Sequence, residues 1–136
     1  MNFLFDNNLP PALAGAIAAL SEGEQGVQRV VHLVDLFEPG VDDLVWIPGL
    51  QNHGSEWYVV SQDKFKKSRG AEREALRRAG HTTYVLDPSW TSQPFYSKAS
   101  QLVRWWPQVL QHARLTSGGV HRIPWRHSNA GKFQSI

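Results

Sequence analysis

Three aspartates, Asp6, Asp43 and Asp63, each lie where a short apolar segment gives way to a turn or a helix. In an open α/β sheet, the residues that follow the strands meet in the crevice beyond the carboxyl ends, where ligands usually bind. Carboxylates that gather in one place repel one another, and a divalent cation relieves that repulsion. The pattern therefore predicts an α/β fold that holds Mg²⁺ or Mn²⁺ for phosphate chemistry.

Length and composition narrow the class of protein. A chain of 136 residues with 41% apolar residues is large enough for one domain with a real core. No apolar run approaches the roughly 20 residues of a membrane span, and Asp6 interrupts the first apolar segment too early for a signal peptide. The chain has no cysteine, which excludes disulfides and thiolate metal sites. We therefore expect a soluble, cytoplasmic protein with no membrane partner.

Apolar strand-like segments alternate along the chain with segments of helical spacing. We predict strands at 3–6, 27–34, 57–60, 82–86 and 120–125. Helices are predicted after Pro10, after Asp42 or Asp43, at 71–79 with Gly80 as the C-cap, and at 95–114. Such alternation is typical of a parallel sheet that is covered by helices on both faces.

The same pattern assigns local roles to individual side chains. Asn8 is expected to cap the first helix, and Pro107 is expected either to kink or to divide the last one. Because Trp105 and Trp106 are adjacent on a helix, we expect one of them to leave the core and to mark a partner surface. Helical spacing places six aliphatic side chains on the buried faces of the first two helices: Leu13, Ile17, Leu20, Leu44, Ile47 and Leu50.

Charge is distributed unevenly along the chain. Residues 1–63 contain nine acids and one base, whereas residues 64–136 contain thirteen bases and three acids. This asymmetry suits an acidic metal pocket beside a basic surface that binds a phosphate backbone, although both charges could equally lie on ordinary solvated faces. The residues that we expect to contact such a phosphate backbone follow Asp63 directly: Lys64, Lys66, Lys67 and Arg69. The six histidines lack metal-binding spacing, and we expect them to be structural or exposed.

Five short segments, taken in order, resemble those of the PIN-like domains. They are FLFDNNLPP at 3–11, His32-Leu33 with Asp35, Asp43 with Trp46-Ile47, SQDK at 61–64, and AEREALRRAG at 71–80. The similarity runs from about residue 2 to residue 90, and this branch resembles toxin ribonucleases of the VapC type. The resemblance implies a three-layer α/β/α fold with a central, mainly parallel sheet.

The resemblance also implies roles for particular residues. Asp6, Asp43 and Asp63 would be the catalytic acids, and would hold one or two Mg²⁺ or Mn²⁺ ions. The metal would activate a water molecule and stabilise the charge on the scissile phosphate of RNA. Auxiliary residues beside these acids would be Asn7, Asp42 and Ser61. Many PIN nucleases have a fourth acid, and here either Asp87 or Glu72 could supply it.

The function implied is a metal-dependent endoribonuclease, the toxin of a toxin–antitoxin pair, with a cognate antitoxin as partner and a homodimer as a further expectation. A catalytically degenerate PIN-like module that binds RNA or protein is the alternative. A receiver domain and a haloacid-dehalogenase phosphatase fit poorly, since neither has its characteristic acids here, and Asn8 stands where the phosphatase needs a second aspartate. We assign residues 1–115 to the PIN-like domain and 116–136 to a C-terminal strand and basic tail.

Overall fold

The computed structural model describes residues 1–62, 70–129 and 131–136. Its strands are β1 (Asn2–Phe5), β2 (Arg29–His32), β3 (Trp57–Ser61), β4 (Thr82–Leu86), β5 (Val120–Ile123) and β6 (Gln134–Ser135). Its α-helices are α1 (Pro11–Leu20), α2 (Leu33–Leu36), α3 (Asp43–Gly49), α4 (Ala71–Ala79) and α5 (Phe95–Leu115). Short 3-10 turns follow α3 (Leu50–His53) and β4 (Pro88–Trp90).

The strands form one sheet in the order β2-β1-β3-β4-β5-β6. The pairs from β2 to β5 are parallel, and β6 joins β5 in the antiparallel sense. From β1 the chain moves to one side of the sheet, to β2, whereas from β3 it moves to the other side, to β4. The carboxyl ends of β1 and β3 therefore flank a topological switch point, which is where open α/β sheets usually bind ligands.

Side chains that alternate along the strands fill a separate core on each face of the sheet. Phe3 and Phe5 point to the face covered by α1 and α5, while Leu4 points to the face covered by α3 and α4. Burial of one such side chain stabilises the fold by roughly 1.5–3 kcal/mol. The mixed α/β class and the mainly parallel sheet with helices on both faces are thereby confirmed.

Several predicted elements match the structure closely, and the second strand does not. The predicted helix at 71–79 and strand at 82–86 are observed with these bounds, and Gly80 ends α4 in the left-handed conformation, with φ 74°. The strand predicted at 27–34 is instead Arg29–His32, because α2 starts immediately after it. A capping box stops the strand: Asp35 accepts from the backbone N–H of His32, and His32 Nδ1 accepts from Val34.

Three local predictions are wrong. Asn8 does not cap α1, whose N-cap is Pro10 without a side-chain hydrogen bond. Leu20 and Leu44 lie exposed, at 58% and 46%, because each is close to an end of its helix, where the sheet no longer covers it. Trp46 occupies the buried face of α3 together with Ile47.

Helix α5 is continuous through Pro107 and buries both of its adjacent tryptophans, which corrects the prediction that one would be exposed. Trp106 packs against Phe3 with ring centroids 4.9 Å apart, on the sheet side of α5. Trp105 is covered from another side by Phe133, at 5.4 Å, in the segment before β6. The returning tail thus buries the tryptophan that the sheet cannot reach.

Candidate functional site

A buried carboxylate and a buried hydroxyl meet at the switch point. Asp6 directly follows β1, and its backbone N–H donates to Val60 O at 3.0 Å, which continues the ladder between β1 and β3. Ser61 Oγ donates to Asp6 Oδ2 at 3.1 Å. Asp6 is 4% exposed and Ser61 is fully buried. Both side chains point to the same face of the sheet as Leu4 and Val59, which lie two residues earlier in the two strands.

The two residues after Asp6 form hydrogen bonds with Asp6 and with the end of β3. The backbone N–H of Asn7 donates to Asp6 Oδ1 at 2.6 Å, so that both carboxylate oxygens have donors. Asn8 Nδ2 donates to Ser61 Oγ at 3.2 Å, and Asn8 Oδ1 accepts from the backbone N–H of Gln62 at 3.0 Å. Asn8 is therefore committed to the end of β3, which explains why it is not available to cap α1.

The polar network continues from β3 to the start of α5. Gln62 Nε2 donates to Thr91 Oγ1 at 2.9 Å, and Lys98 Nζ donates to Gln62 Oε1 at 3.2 Å. Sequence reasoning did not identify Gln62, Thr91 or Lys98 as residues near the site. The position of Gln62 close to the end of the predicted strand at 57–60 was the one available signal, while contacts from residues 91 and 98 depend on how α5 docks.

The aspartates at the start of α3 have distinct local partners. Asp42 is the N-cap, and its Oδ1 accepts from the backbone N–H of Leu44 at 2.8 Å. Asp43 begins the helix, is partly exposed, and accepts from Trp46 Nε1 at 2.8 Å. Helix α3 covers the face of the sheet to which Asp6 points, since Trp46 and Ile47 pack with Leu4. Asp43 therefore lies on the same face of the sheet as Asp6, and one of its carboxylate oxygens accepts a hydrogen bond from Trp46 in its own helix.

The two candidates for a fourth acid differ in their surroundings. Glu72, in the first turn of α4, is 5% exposed, and its Oε2 has no hydrogen-bond partner among the described residues. It lies one helical turn before the buried Leu76 and so points toward the sheet, on the face that Asp6 shares. Asp87 Oδ1 instead accepts from the backbone N–H of Ser89 at 2.7 Å and caps the 3-10 turn after β4.

Asp63, Lys64, Lys66, Lys67 and Arg69 lie outside the described residues. Within the ranges 1–62, 70–129 and 131–136, no three histidine, aspartate or glutamate side chains gather closely enough to hold a metal ion. The described atoms at the switch point that could bind a metal are the oxygens of carboxylate, amide and hydroxyl groups. Oxygen donors of this kind are the ligands that Mg²⁺ and Mn²⁺ prefer, so the chemistry of the donor set fits such an ion.

Two buried histidines serve the fold. His32 Nε2 lies 2.7 Å from Leu9 O, and His81 Nε2 lies 2.7 Å from Ile47 O. Burial lowers the pKa of His81 from its ordinary value of 6.5, against the opposing effect of the bond to Ile47 O. Both rings thus secure a backbone carbonyl, and for these two histidines the expected structural role is confirmed.

A mainly parallel sheet with a buried aspartate at its switch point defines an α/β protein with an acidic centre at the carboxyl edge of the sheet. The family model for the PIN-like domain matches residues 1–88, and the chain belongs to the PIN-like domain family. The resemblance inferred from the sequence is thereby confirmed, and PIN-like domains are generally nucleases. No curated protein and no solved structure matches this chain. None of the helices in the described part combines the length and the apolarity that crossing a membrane requires.

Proposed function

We propose that this protein is a divalent-cation-dependent endoribonuclease with Asp6 at the centre of its active site. The observation that carries the proposal is the hydrogen bond from Ser61 Oγ to Asp6 Oδ2 at the switch point, where both side chains are buried. A carboxylate removed from water in this way needs compensating partners, and a bound cation is a strong one. Membership in a family of nucleases supports phosphodiester hydrolysis as the reaction.

Three described acids contribute to the proposed metal site from the face of the sheet that α3 and α4 cover: Asp6, Asp43 and Glu72. Asp6 supplies one carboxylate, and Glu72 brings an Oε2 that has no hydrogen-bond partner among the described residues. Asp43 is retained as a further acid, and Asp63 is included for its place in the sequence. Bound there, Mg²⁺ or Mn²⁺ would lower the pKa of a water molecule and stabilise charge on the phosphate. Ser61 and the Asn7 N–H hold the Asp6 carboxylate in one orientation.

Substrate binding in this proposal depends on basic side chains. Lys64, Lys66, Lys67 and Arg69 follow Asp63 in the sequence, and we propose that they contact phosphates of the RNA. Binding of this kind weakens as salt concentration rises, because counterions are released from the RNA backbone. A steep salt dependence of binding is therefore part of the proposal.

The cellular role that we propose is that of a cytoplasmic toxin held inactive by an antitoxin protein, with a homodimer as the working form. The support for this role is the resemblance of residues 2–90 to toxin ribonucleases. It predicts that induced expression of the wild-type protein arrests bacterial growth, whereas Asp6→Asn permits growth at equal protein level. Growth that is unaffected by the wild-type protein would contradict the toxin role and leave the nuclease proposal standing.

The decisive experiment incubates a structured RNA such as tRNA with wild-type protein, Asp6→Asn or Asp35→Asn, in Mn²⁺, Mg²⁺ or EDTA. Asp35 is exposed and caps α2, and asparagine can still accept the hydrogen bond from His32, so this variant is the matched control. We expect cleavage by wild type and Asp35→Asn, none by Asp6→Asn, and none in EDTA. Equal cleavage by all three proteins would point to a contaminating nuclease.

One observation favours a second candidate function, that of a non-catalytic RNA-binding module. No group of three metal-binding side chains forms within the described ranges, so a complete metal centre depends on Asp63. Folded protein that binds RNA equally well with Mn²⁺ or EDTA, without cleaving it, would establish this alternative.

A further inference from the structure

We propose that Phe95, Tyr96 and Lys98, at the start of α5, form a platform that binds the single-stranded stretch of RNA adjoining the Asp6 centre. In this platform an aromatic ring stacks on a base and the lysine contacts a phosphate. The inference rests on the proposed function in taking RNA as the ligand, but it assigns residues that are not part of the basic segment after Asp63.

Phe95 and Tyr96 are exposed aromatic residues, so packing in the core does not explain their presence. Tyr96 is 85% exposed and Phe95 is 40% exposed, and their ring centroids lie 5.4 Å apart at an interplanar angle of 71°. Every other exposed large apolar side chain in the described part is aliphatic: Leu20, Val34, Leu44, Val45, Val103 and Leu115. An exposed aromatic face is a surface on which an unpaired base can stack, whatever its identity.

Lys98 places a positive charge beside the ring of Phe95. It lies three residues after Phe95, and residues at this spacing are neighbours on a helix surface. Its Nζ donates to the neutral Oε1 of Gln62 at 3.2 Å. Among the described carboxylates, none lies within ion-pair distance of Lys98. The ammonium group is thus held in place without being neutralised by these carboxylates, as a phosphate contact requires.

The platform is continuous with the proposed active site. From Lys98 the hydrogen bonds run to Gln62, whose backbone N–H donates to Asn8 Oδ1 at 3.0 Å. Asn8 then contacts Ser61 Oγ at 3.2 Å, and Ser61 contacts Asp6 at 3.1 Å. Each link is a direct contact, so Lys98 stands at the same carboxyl edge of the sheet as Asp6. A strand of RNA with its phosphate at Asp6 would meet the platform with its neighbouring nucleotides.

The combination of groups favours RNA over another occupant. An exposed aromatic pair next to a cation suits a ligand that alternates flat rings with negative charges, which is the chemistry of a single strand. A second copy of this chain would bury an apolar surface, yet the surface here includes the charge of the half-buried Lys98 and the hydroxyl of the exposed Tyr96. Because the positive charge of Lys98 complements phosphate, RNA is the ligand that we propose for this surface.

The test measures binding of a short fluorescein-labelled single-stranded RNA by fluorescence anisotropy. All proteins carry Asp6→Asn, which removes turnover as a complication. Tyr96→Phe keeps the aromatic ring, Tyr96→Leu keeps apolar area without a ring, and Leu115→Ala removes an 83% exposed apolar side chain at the far end of α5. Replacing an aromatic residue that stacks on a base weakens binding by about 5- to 100-fold.

We expect that weakening for Tyr96→Leu and Tyr96→Ala, and an unchanged Kd for Tyr96→Phe and Leu115→Ala. Lys98→Met should reduce the slope of log Kd against log salt concentration by about 0.7, the contribution of one phosphate contact to a single strand. An unchanged Kd for both Tyr96→Ala and Phe95→Ala would overturn the platform, and so would an absence of RNA binding by the Asp6→Asn protein.

The outcomes separate this inference from the proposed function. Stacking-dependent binding together with no cleavage by wild-type protein would support the platform and overturn the nuclease. If the wild-type protein cleaves RNA and Tyr96→Ala changes neither the cleavage rate nor the Kd, the nuclease is supported and the platform is overturned. Concentration-dependent dimerisation that Tyr96→Ala abolishes, with RNA binding unaffected, would overturn the platform and assign the surface to contact between copies.

Discussion

The hydroxyl of Ser61, at the end of β3, donates a hydrogen bond of 3.1 Å to Oδ2 of Asp6, directly after β1. The two residues are 55 positions apart in the chain, and the parallel pairing of β1 with β3 brings them together. Because the sheet changes the direction of its connections between these two strands, the contact lies where a ligand can reach the ends of both. It joins the residue proposed as the central metal ligand to a group that can fix its orientation.

Ser61→Ala should therefore impair RNA cleavage less than Asp6→Asn does. Removal of a hydroxyl that orients a metal-binding carboxylate typically costs about 10- to 100-fold in metal affinity or activity. We expect a loss in this range, largely recovered at high Mn²⁺ concentration because the carboxylate is still present. Cleavage rates measured over a Mn²⁺ titration would check the prediction.

Ser55→Ala is the control for this substitution, since Ser55 is exposed before β3 and only its backbone carbonyl, which alanine keeps, accepts the hydrogen bond from Asn2 Nδ2. It should cleave as the wild type does. If Ser61→Ala abolishes cleavage at every Mn²⁺ concentration while remaining folded, Ser61 has a more direct role than orienting Asp6.

Glu72→Gln should raise the stability of the metal-free protein. The Oε2 of Glu72 is buried on α4 without a hydrogen-bond partner among the described residues, and a buried unsatisfied polar group costs about 1–3 kcal/mol. Glutamine keeps a polar group at nearly constant volume but removes the negative charge, and burial of a charge costs more than burial of an amide. We therefore expect the free energy of unfolding to rise by about 1 kcal/mol in EDTA. Denaturant unfolding monitored by circular dichroism would measure the change.

The same variant should lose part of the stabilisation that Mn²⁺ gives the wild-type protein, because a ligand stabilises in proportion to its affinity for the folded state. Glu74→Gln is the control on the same helix, since Glu74 is solvent-facing and bonds to Arg77 and Arg78. It should leave the effect of Mn²⁺ unchanged. A Glu72→Gln protein that is destabilised in EDTA, with an undiminished response to Mn²⁺, would show that the carboxylate has only a structural role.

The sequence predicted those parts of the fold that depend on local patterns. The strand at 82–86 and the helix at 71–79 have unambiguous periodicity and a glycine that ends the helix, and both were predicted with the observed bounds. The position of Asp6 after a buried strand was similarly visible. The end of β2 was misplaced because an apolar run continues through Leu33 and Val34, whereas a capping box from His32 and Asp35 starts a helix there.

Features that depend on tertiary docking could not be predicted in the same way. Asn8 looked like a helix cap because it precedes Pro10, but a strand end 53 residues away takes its side chain. One of Trp105 and Trp106 was expected to be exposed because one face of α5 cannot bury two adjacent tryptophans, but the returning tail with Phe133 covers Trp105. Lys98 gave no signal, since its contact with Gln62 depends on where α5 crosses the edge of the sheet.

Stability should fall as the pH decreases below about 6.5. Burial lowers the pKa of His81 in the folded state, and burial together with the neighbouring His121 lowers that of His112. Because the pKa of each ring is lower in the folded protein, the unfolded chain takes up these protons at a higher pH. The unfolded state therefore binds more protons in the window just below pH 6.5. Stability is therefore fully present above the unfolded pKa and declines by at most about 1.4 kcal/mol per pH unit for each histidine.

His81→Gln tests this assignment, because glutamine can still donate to Ile47 O but does not titrate. Between pH 6.5 and pH 5 we expect its unfolding free energy to depend less steeply on pH than that of the wild type, as measured by denaturant midpoints. His53→Gln removes a histidine that packs on Phe37, with centroids 5.2 Å apart, and serves as the control. Parallel curves for wild type and His81→Gln would show that His81 does not contribute to the pH dependence.

Gly131→Ala should loosen the tail that covers Trp105. A Cβ at residue 131 would lie 2.7 Å from Trp105 Cη2 and 2.9 Å from Ser128 O, both too close for a real contact. Ser128 O also accepts from Gln108 Nε2 at 2.7 Å, so the backbone on that side is tied to α5. Because overpacking of this kind typically costs about 1–3 kcal/mol, we expect a loss in that range together with faster hydrogen exchange in β6 and a change in tryptophan fluorescence.

Gly15→Ala is the matched control for this substitution. Residue 15 lies inside α1, and a Cβ there meets no atom within 4 Å. Alanine in a helix interior is better than glycine by about 0.5–1 kcal/mol, so this variant should be slightly more stable than the wild type. If Gly131→Ala retains wild-type stability and fluorescence, the tail can shift away from Trp105 without cost. In that case the burial of Trp105 would not depend on a tightly docked tail.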